Sequence, residues 1–459
     1  SITYVGVTNP TYNIDFPNGI VFQGHGSNMQ WHAMQTVYET WQAENPGTPY
    51  DMYNWGEQMA NSIQMDGFQL VTNGHYDLGE FVTAYMEGLY SFRRAGGRYA
   101  GEPIRATTNA DWYPNAVQVH LSNPFIPGDF WEEIVEGYGP IDYNNPIVGM
   151  GKRSNDLGAR VFDNTTSTFR AVVGLKGEIT PDYGWDIFLN YGRFLEIDVT
   201  KNAPDMQRFN EATNPALCLT TPGCVLANVF GEGVMQEEVR EFIGFDSTDT
   251  YQWDMINSGA QFLMQPFSLP GGKFAAVIGG DLRWERGMNS PDSKKVDGVS
   301  GTNVAGYAEG KYDAQEAFVE LSAPFLAGLP GAHSLTLDLA GRASHFDAFG
   351  TEFTFRAGLS WAPIEDVMFR GVFSKSYRAP SIMQLYGASY SSYPAVSDPC
   401  SGYENPANEA SAYTIQQCQD HGIPGTGPDE YIQTTTQIKT HNGPNPNLGP
   451  ETARNMSVG

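Results

Sequence analysis

The feature that most constrains this chain is a two-residue period of apolar and polar side chains, repeated along much of its length. Successive side chains of an extended strand point to opposite faces, so a period of two predicts strands with one apolar and one polar face. Ala171, Val173 and Leu175 alternate with Arg170, Lys176 and Glu178. Trp185, Ile187, Leu189 and Tyr191 oppose Asp186 and Asn190. Phe274, Ala276, Ile278, Leu282 and Trp284 oppose Asp281, Arg283 and Glu285. Ala317, Val319 and Leu321 oppose Glu316 and Glu320, and Leu335, Leu337 and Leu339 oppose Thr336, Asp338 and Arg342. Phe353, Phe355, Ala357, Leu359 and Trp361 oppose Thr354 and Arg356, and Val367, Phe369 and Phe373 oppose Arg370 and Ser374. In none of these runs does the apolar face carry a charge.

Alternation alone suits a soluble sandwich as well as a membrane barrel, because strands of both have one wet face. Connection lengths separate them. The turns at 180–184, 269–272, 326–331 and 363–365 are short. The connections between them, near 18–60, 96–163, 200–248, 289–308 and 384–444, are long, and only 345–350 is brief. Short turns at one end and long loops at the other are the asymmetry of bacterial outer-membrane barrels. The fold class expected is all-β, a transmembrane antiparallel β-barrel of roughly eleven strands with long extracellular loops. Trp185, Tyr191, Trp284 and Trp361 suit interfacial girdles, and equally suit ordinary strands, which favour aromatics. Residues 27–42, with Trp31, Met34, Val37 and Trp41, have an imperfect helical spacing that predicts a short amphipathic helix inside a loop.

Composition narrows the function classes. No run approaches the roughly 18 apolar residues of a membrane helix; apolar runs such as 274–280 are strand-length. The chain carries 52 acidic and 26 basic residues in 459, a net charge of −26. Nucleic acid as a partner is disfavoured, since phosphates need Lys and Arg. An acidic extracytoplasmic surface explains the charge. Divalent cations bridging acidic loops to lipopolysaccharide are the sharper, less favoured reading. The four cysteines fall in local pairs, Cys218 with Cys224 and Cys400 with Cys418, with no CxxC spacing. Two loop-closing disulfides formed in an oxidising compartment fit better than a zinc or redox site. No signal peptide is visible at Ser1, which begins in a β-like run, so a cut or processed start is expected.

Two motifs carry a family resemblance. From Val367 the chain reads VMFRGVFSKSYRAPSIMQLYG, and from Asn445 it reads NPNLGPETARNMSVG. The pair resembles the signature of TonB-dependent outer-membrane receptors. There a strand ends in Phe-Arg-Ala-Pro, a long external loop follows, and an Asn-Pro-Asn-Leu box with a nearby Pro-Glu opens the next strand. The first motif here is Tyr377-Arg378-Ala379-Pro380, with Tyr for the usual Phe; the second is Asn445-Pro446-Asn447-Leu448, then Pro450 and Glu451. Weaker similarity extends to 77–99, 155–193 and the cysteine loop at 214–224. It covers most of the chain and is sharpest over 334–459.

The resemblance implies a barrel portion, residues 1–459, of a plugged barrel of about 22 strands. A plug, a TonB-box segment and a terminal aromatic strand are not visible here. The 459 residues are expected to be part of a longer chain, because a half-barrel would leave two open edges in lipid; a split receptor is the weaker alternative. The function implied is active import of a scarce ligand across the outer membrane into the periplasm. TonB of the TonB–ExbB–ExbD complex is the driving partner, membrane lipid and lipopolysaccharide are the surroundings, and a lipoprotein is a further candidate partner. No catalysis and no resident cofactor or metal are implied. A passive porin, or a secreted carbohydrate-binding β protein, is the alternative.

Inward charges would line a wet lumen and bind the plug, with Arg170, Arg283, Arg342, Arg356 and Arg370 as candidates. Their competing role is pairing with carboxylates such as Glu178, Asp281 and Asp338. Some haem receptors carry an iron-ligating histidine between the two motifs, which makes His421 and His441 candidates; a chance loop histidine is the preferred reading. Aromatics of the loops, including Trp31, Trp41, Trp55, Trp112, Trp131, Tyr386, Tyr390 and Tyr393, could stack on a sugar or siderophore, against the preferred alternative of loop self-packing. The paired Glu132 and Glu133 beside Trp131 are not fixed in a rigid cleft as a glycosidase would need.

Overall fold

The computed structural model describes residues 3–6, 20–23, 30–33, 58–104, 118–120, 122–126, 147–231, 233–392, 394–405, 408, 410–425, 431–433 and 440–459. Its dominant element is an 11-stranded antiparallel sheet in which spatial order follows chain order throughout. The strands are β1 (Gln64–Asp77), β2 (Val82–Tyr99), β3 (Arg160–Thr180), β4 (Tyr183–Pro204), β5 (Gly244–Met264), β6 (Ala275–Ser290), β7 (Ala308–Leu329), β8 (Ala332–Phe346), β9 (Gly350–Ile364), β10 (Val367–Arg378) and β11 (Glu451–Val458). The sheet is not closed; β1 and β11 are its edges, and it forms a partial barrel.

The ends alternate as the loop lengths predict. Odd strands pass to even strands through the short links 77–82, 180–183, 264–275, 329–332 and 364–367. Even strands pass to odd strands through the long ones, with 346–350 the exception. Several strands run to 21 or 22 residues, about twice the ~9–11 that a tilted strand needs to cross a bilayer. The wall therefore has length to rise beyond the lipid.

Register explains the alternation. Met86 pairs with Val173, Val173 with Leu189, and farther along Leu337 with Leu359 and Trp361 with Phe369. These side chains form a continuous apolar band that stays uncovered: Val173 is 55% exposed and Leu282 60%. An uncovered apolar band of this extent fits a lipid-facing surface. On the opposite face aromatic rings lie directly over glycines of the next strand. The Tyr85 ring covers Gly174 and the Phe318 ring covers Gly279, where any Cβ would collide with the ring.

The connection between β4 and β5 is a folded cap. It holds α1 (Met206–Thr213), α2 (Pro215–Thr220) and α3 (Glu237–Ile243). Asp205 caps α1 by accepting from the Arg208 N–H at 3.1 Å, and Asn214 caps α2, with Pro215 in its first turn. Met206, Phe209, Val229, Phe230, Val239 and Ile243 pack there with Ile104 and Val119 in a fully enclosed core. At its edge the buried pair Lys152–Asp156 closes at 2.9 Å. Lys152 also donates to the Gly231 carbonyl at 2.7 Å, and Asp156 accepts from the Gly233 N–H at 2.7 Å. These bonds satisfy two charges that burial would otherwise penalise.

A second, six-stranded sheet joins the short strands Thr3–Gly6, Ile20–Gln23, Gln30–Ala33, Pro103–Ile104, Gln118–His120 and Ile147–Arg153. It corrects the helix expected over 27–42. Residues 30–33 are extended, and Trp31 pairs with Phe22. The β-favouring run Ile20-Val21-Phe22 supplies a partner ladder that outweighs an imperfect helical spacing. Trp41 and the rest of that segment lie outside the described residues. No described helix is long and apolar enough to cross a membrane.

Candidate functional site

The two family motifs, 65 residues apart in sequence, meet at the long-loop end of the wall. Arg378, the last residue of β10, is the register partner of Glu451, the first of β11. Their side chains form a two-pronged ion pair, 2.5 Å and 3.1 Å, the geometry that best matches a guanidinium to a carboxylate. Ala379 and Pro380 turn the chain out of the strand. Ser381 then caps α4 (Ile382–Tyr386) through a reciprocal capping box with Gln384. Ile382 and Leu385 are wholly buried against Tyr312, Ala314 and Phe346. From the second motif, the Asn445 N–H donates to the Gln384 carbonyl at 2.8 Å, and Leu448 packs on the same core. The Asn445 side chain accepts from the Asn447 N–H at 3.0 Å and fixes the turn into β11. The motif residues thus form a latch that closes the base of the loop between them.

Above the latch, a two-stranded ribbon pairs Tyr390–Ser392 with Thr440–Asn442. It sets His441 opposite Ser391 and Tyr390 opposite Asn442. Tyr390 is half-exposed, whereas Tyr386 lies against Gly310 of β7 and belongs to the buried core's margin. His421 sits elsewhere, at the C-terminal end of the helix Ala412–Asp420. Tyr393, and the aromatics Trp41, Trp55, Trp112 and Trp131, lie outside the described residues. Among the described residues, no group of three or more His, Cys, Asp or Glu is placed to hold a metal. Both disulfides are formed, Cys218–Cys224 and Cys400–Cys418. The second pins the Ala412–Asp420 helix. Around it, Tyr403 donates to the Ile423 carbonyl at 2.8 Å and Tyr431 to Asp398 at 2.9 Å. The hydrogen bond to Asp398 raises the Tyr431 pKa above the ordinary tyrosine range.

The long connections brace one another. The connection between β6 and β7 is tied to the cap: Asp205 pairs with Lys294, and the Met206 N–H donates to the Val299 carbonyl at 2.7 Å. It is tied to the wall by Lys295–Asp249 at 2.7 Å. It reaches the ribbon through a bridge between Ala305 and Tyr390. Sequence reading missed Asp205 as the residue that joins the cap to this connection. Its place as the residue before an amphipathic run was the available signal.

On the polar face of the wall, the arginines expected to line it are largely engaged by neighbours. Arg342 lies between Asp281, at 2.7 Å, and Glu316. Arg283 pairs with Glu285 at 3.1 Å and Arg170 with Glu87 at 3.5 Å. Asp338 instead accepts from Ser322 at 2.7 Å. A hollow of about 620 Å³ opens there, lined among others by Arg283, Glu316, Arg342, Arg356, Lys375 and Tyr377. Lys375 pairs with Glu352 at 3.2 Å, a contact the alternation did not reveal. Phe318, Phe346 and Phe355 line the hollow beside these charges.

A family model described as TonB dependent receptor-like, beta-barrel, matches residues 91–459. Among solved structures, the chain is similar to a mutant of the ferric enterobactin receptor of Pseudomonas aeruginosa, at 14% identity and a TM-score of 0.36, over 86% of this chain and 50% of that one. It is also similar to the siderophore receptor PirA of Acinetobacter baumannii, at 12% identity and a TM-score of 0.33, over 87% of this chain and 50% of that one. The chain spans about half the length of these solved receptors.

Proposed function

The chain belongs to the family of TonB-dependent receptor β-barrels, and from that premise we propose that it serves energy-coupled import of a scarce ligand across the bacterial outer membrane. The observation that carries the reading is the family match over 91–459, the region that contains the motif latch and most of the wall. The uncovered apolar band suits the lipid, and the braced long connections suit a rigid mouth at the outer surface. Capture would take place among those connections, and passage along the polar face. TonB would supply the pull through a part of the receptor beyond these residues. The barrel's work is binding and passage, with no bond made or broken. Iron–siderophore complexes and oligosaccharides are the ligand classes such an apparatus suits.

The test is uptake in cells carrying the full receptor. Accumulation of an iron chelate or oligosaccharide that requires the receptor should stop when the proton gradient is collapsed or TonB is deleted. Uptake that survives both treatments overturns the reading in favour of a passive pore.

A further inference from the structure

On the outer face of the wall one pattern repeats on alternate strands. The outward side chains of β2, β4 and β6 run through the apolar band toward the long connections. Each series ends the band with an aromatic ring and sets an arginine two residues farther on. The series are Met86, Phe92 and Arg94; Leu189, Tyr191 and Arg193; and Leu282, Trp284 and Arg286. Residues two apart share a face of a strand, so each arginine stands on the lipid side, just past the band. Register aligns two of them in one row. Arg193 pairs with Asp254, Asp254 with Arg286, and Arg286 with Lys311. With strands ~4.8 Å apart, the row crosses β4 to β7 over roughly 15 Å.

The two signs of charge are not equally presented there. Arg94 pairs with Asp163, Arg193 with Asp254 at 3.7 Å, and Arg286 with Glu309 at 2.6 Å. In each pair the arginine is the more exposed partner: 60% against 21%, 45% against 13%, and 47% against 38%. Asp254 also accepts from the Tyr191 hydroxyl at 3.0 Å and from Gln252 at 2.6 Å, and Glu309 accepts from the Tyr307 hydroxyl at 2.6 Å. The carboxylates are thus occupied by the wall, and the guanidinium groups face outward. Lys311 is exposed and has no ion-pair partner among the described residues. Asp313 shares this face one row lower, opposite Trp284. The far end of the wall has the opposite sign. Its five short links hold Asp77, Glu80, Asp182, Glu365 and Asp366 against Lys273, which pairs with Asp182.

Cations at the edge of an apolar band stand at headgroup depth, their stems on the band and their charges in the polar layer. Guanidinium groups match phosphate oxygens two at a time. Resting on the outer-membrane placement above, we propose that Arg193, Arg286 and Lys311, flanked by Arg94, form a binding site for the phosphate groups of outer-leaflet lipid. Tyr191 and Trp284 mark the boundary between headgroup and acyl chain, as interfacial aromatics do. The acyl chains of the same lipid then lie along Leu189 and Leu282.

The experiment titrates the full receptor in detergent with diphosphoryl lipid A and with its dephosphorylated counterpart, reading bound lipid by native mass spectrometry. The phosphorylated form should bind about tenfold tighter or more, since each cation near an anionic lipid surface is worth roughly fivefold. The triple variant R193Q/R286Q/K311Q should lose that preference, whereas K273Q, at the far end, should keep it. K311Q alone leaves the ion pairs of both arginines in place, so folding is not at issue, and should weaken binding about fivefold. D313N should strengthen it. Equal binding of the two lipids, or a preference that both K311Q and the triple variant keep, overturns the proposal. So does displacement of the lipid by millimolar inorganic phosphate, which would make this a site for free phosphate. Import is read separately, by its dependence on the proton gradient. A receptor that imports without the lipid preference refutes this site alone, and one that has the preference without import refutes only the import reading.

Discussion

In the wall, Val173, Leu189 and Leu282 stand with about half of their surface uncovered, whereas in the cap Phe209, Phe230 and Ile243 are wholly enclosed. Both regions use the same kinds of side chain. The wall holds its strands by continuous ladders of backbone hydrogen bonds and turns its apolar side outward. The cap folds as a small water-soluble domain does, with apolar side chains inward and helix ends capped. The difference teaches that apolar content alone does not say where the core is. In the wall the hydrophobic surface is matched to lipid, and in the cap it is matched to itself.

That contrast can be broken from either side. Phe209→Ala should cost the cap about 3–5 kcal/mol, the usual range for emptying an aromatic site in a tight core. Hydrogen exchange in the full receptor should rise across Met206–Thr213 and Glu237–Ile243 while the wall's strands stay protected; uniform loosening would show that cap and wall are one cooperative unit. Leu282→Arg places a charge in the apolar band and should cost roughly 2–4 kcal/mol if that band lies near the bilayer midplane. Denaturation in lipid vesicles measures it, and a cost near zero would place this face in water. Removing the Cys218–Cys224 bridge, as the double Ser variant, should weaken the cap by about 2–3 kcal/mol, the entropic value of so short a loop. Limited proteolysis near Leu219 under oxidising conditions reads the effect. Asp205→Ala should cost about 0.5–2 kcal/mol through the lost helix cap. It should also raise exchange in the 294–305 connection, which a cap effect confined to the helix would not do.

The smallest effect expected is one of pH. The hydrogen bond from Tyr431 to Asp398 raises the tyrosine's pKa in the folded loop. Its contribution is therefore fully present below the unfolded tyrosine value, about 10, and is lost as pH rises through the raised one. Tyr431→Phe should remove the alkaline loss of protection around Cys400 and Cys418, read after correction for base-catalysed intrinsic exchange; an unchanged loss would assign it to another group.

Much of the wall was legible because strand periodicity is local. The outward series Val173, Leu189 and Phe355, the polar series Arg283 and Arg342, and the alternation of short and long links all appear in the amino-acid order. The motif residues were legible too, as a resemblance, but their joint role was not. Nothing in the sequence says that Arg378 reaches Glu451, or that Asn445 bonds to Gln384. The helix expected at 27–42 is replaced by a strand over 30–33, because a helical spacing was weighed without knowing that Phe22 would offer Trp31 a strand partner. The cap was missed because its core draws on Ile104 and Val119, far from its helices in sequence.

By itself, then, the sequence determined the strands, their two faces, the paired cysteines and the excess of negative charge, because each depends on residue type and near neighbours. Only the tertiary structure decided which charges pair across the long connections, how Asp205 joins two of those connections, and where Tyr386 and Tyr390 part company between core and surface. Those outcomes depend on contacts between residues tens to hundreds of positions apart, and no local period encodes such distances.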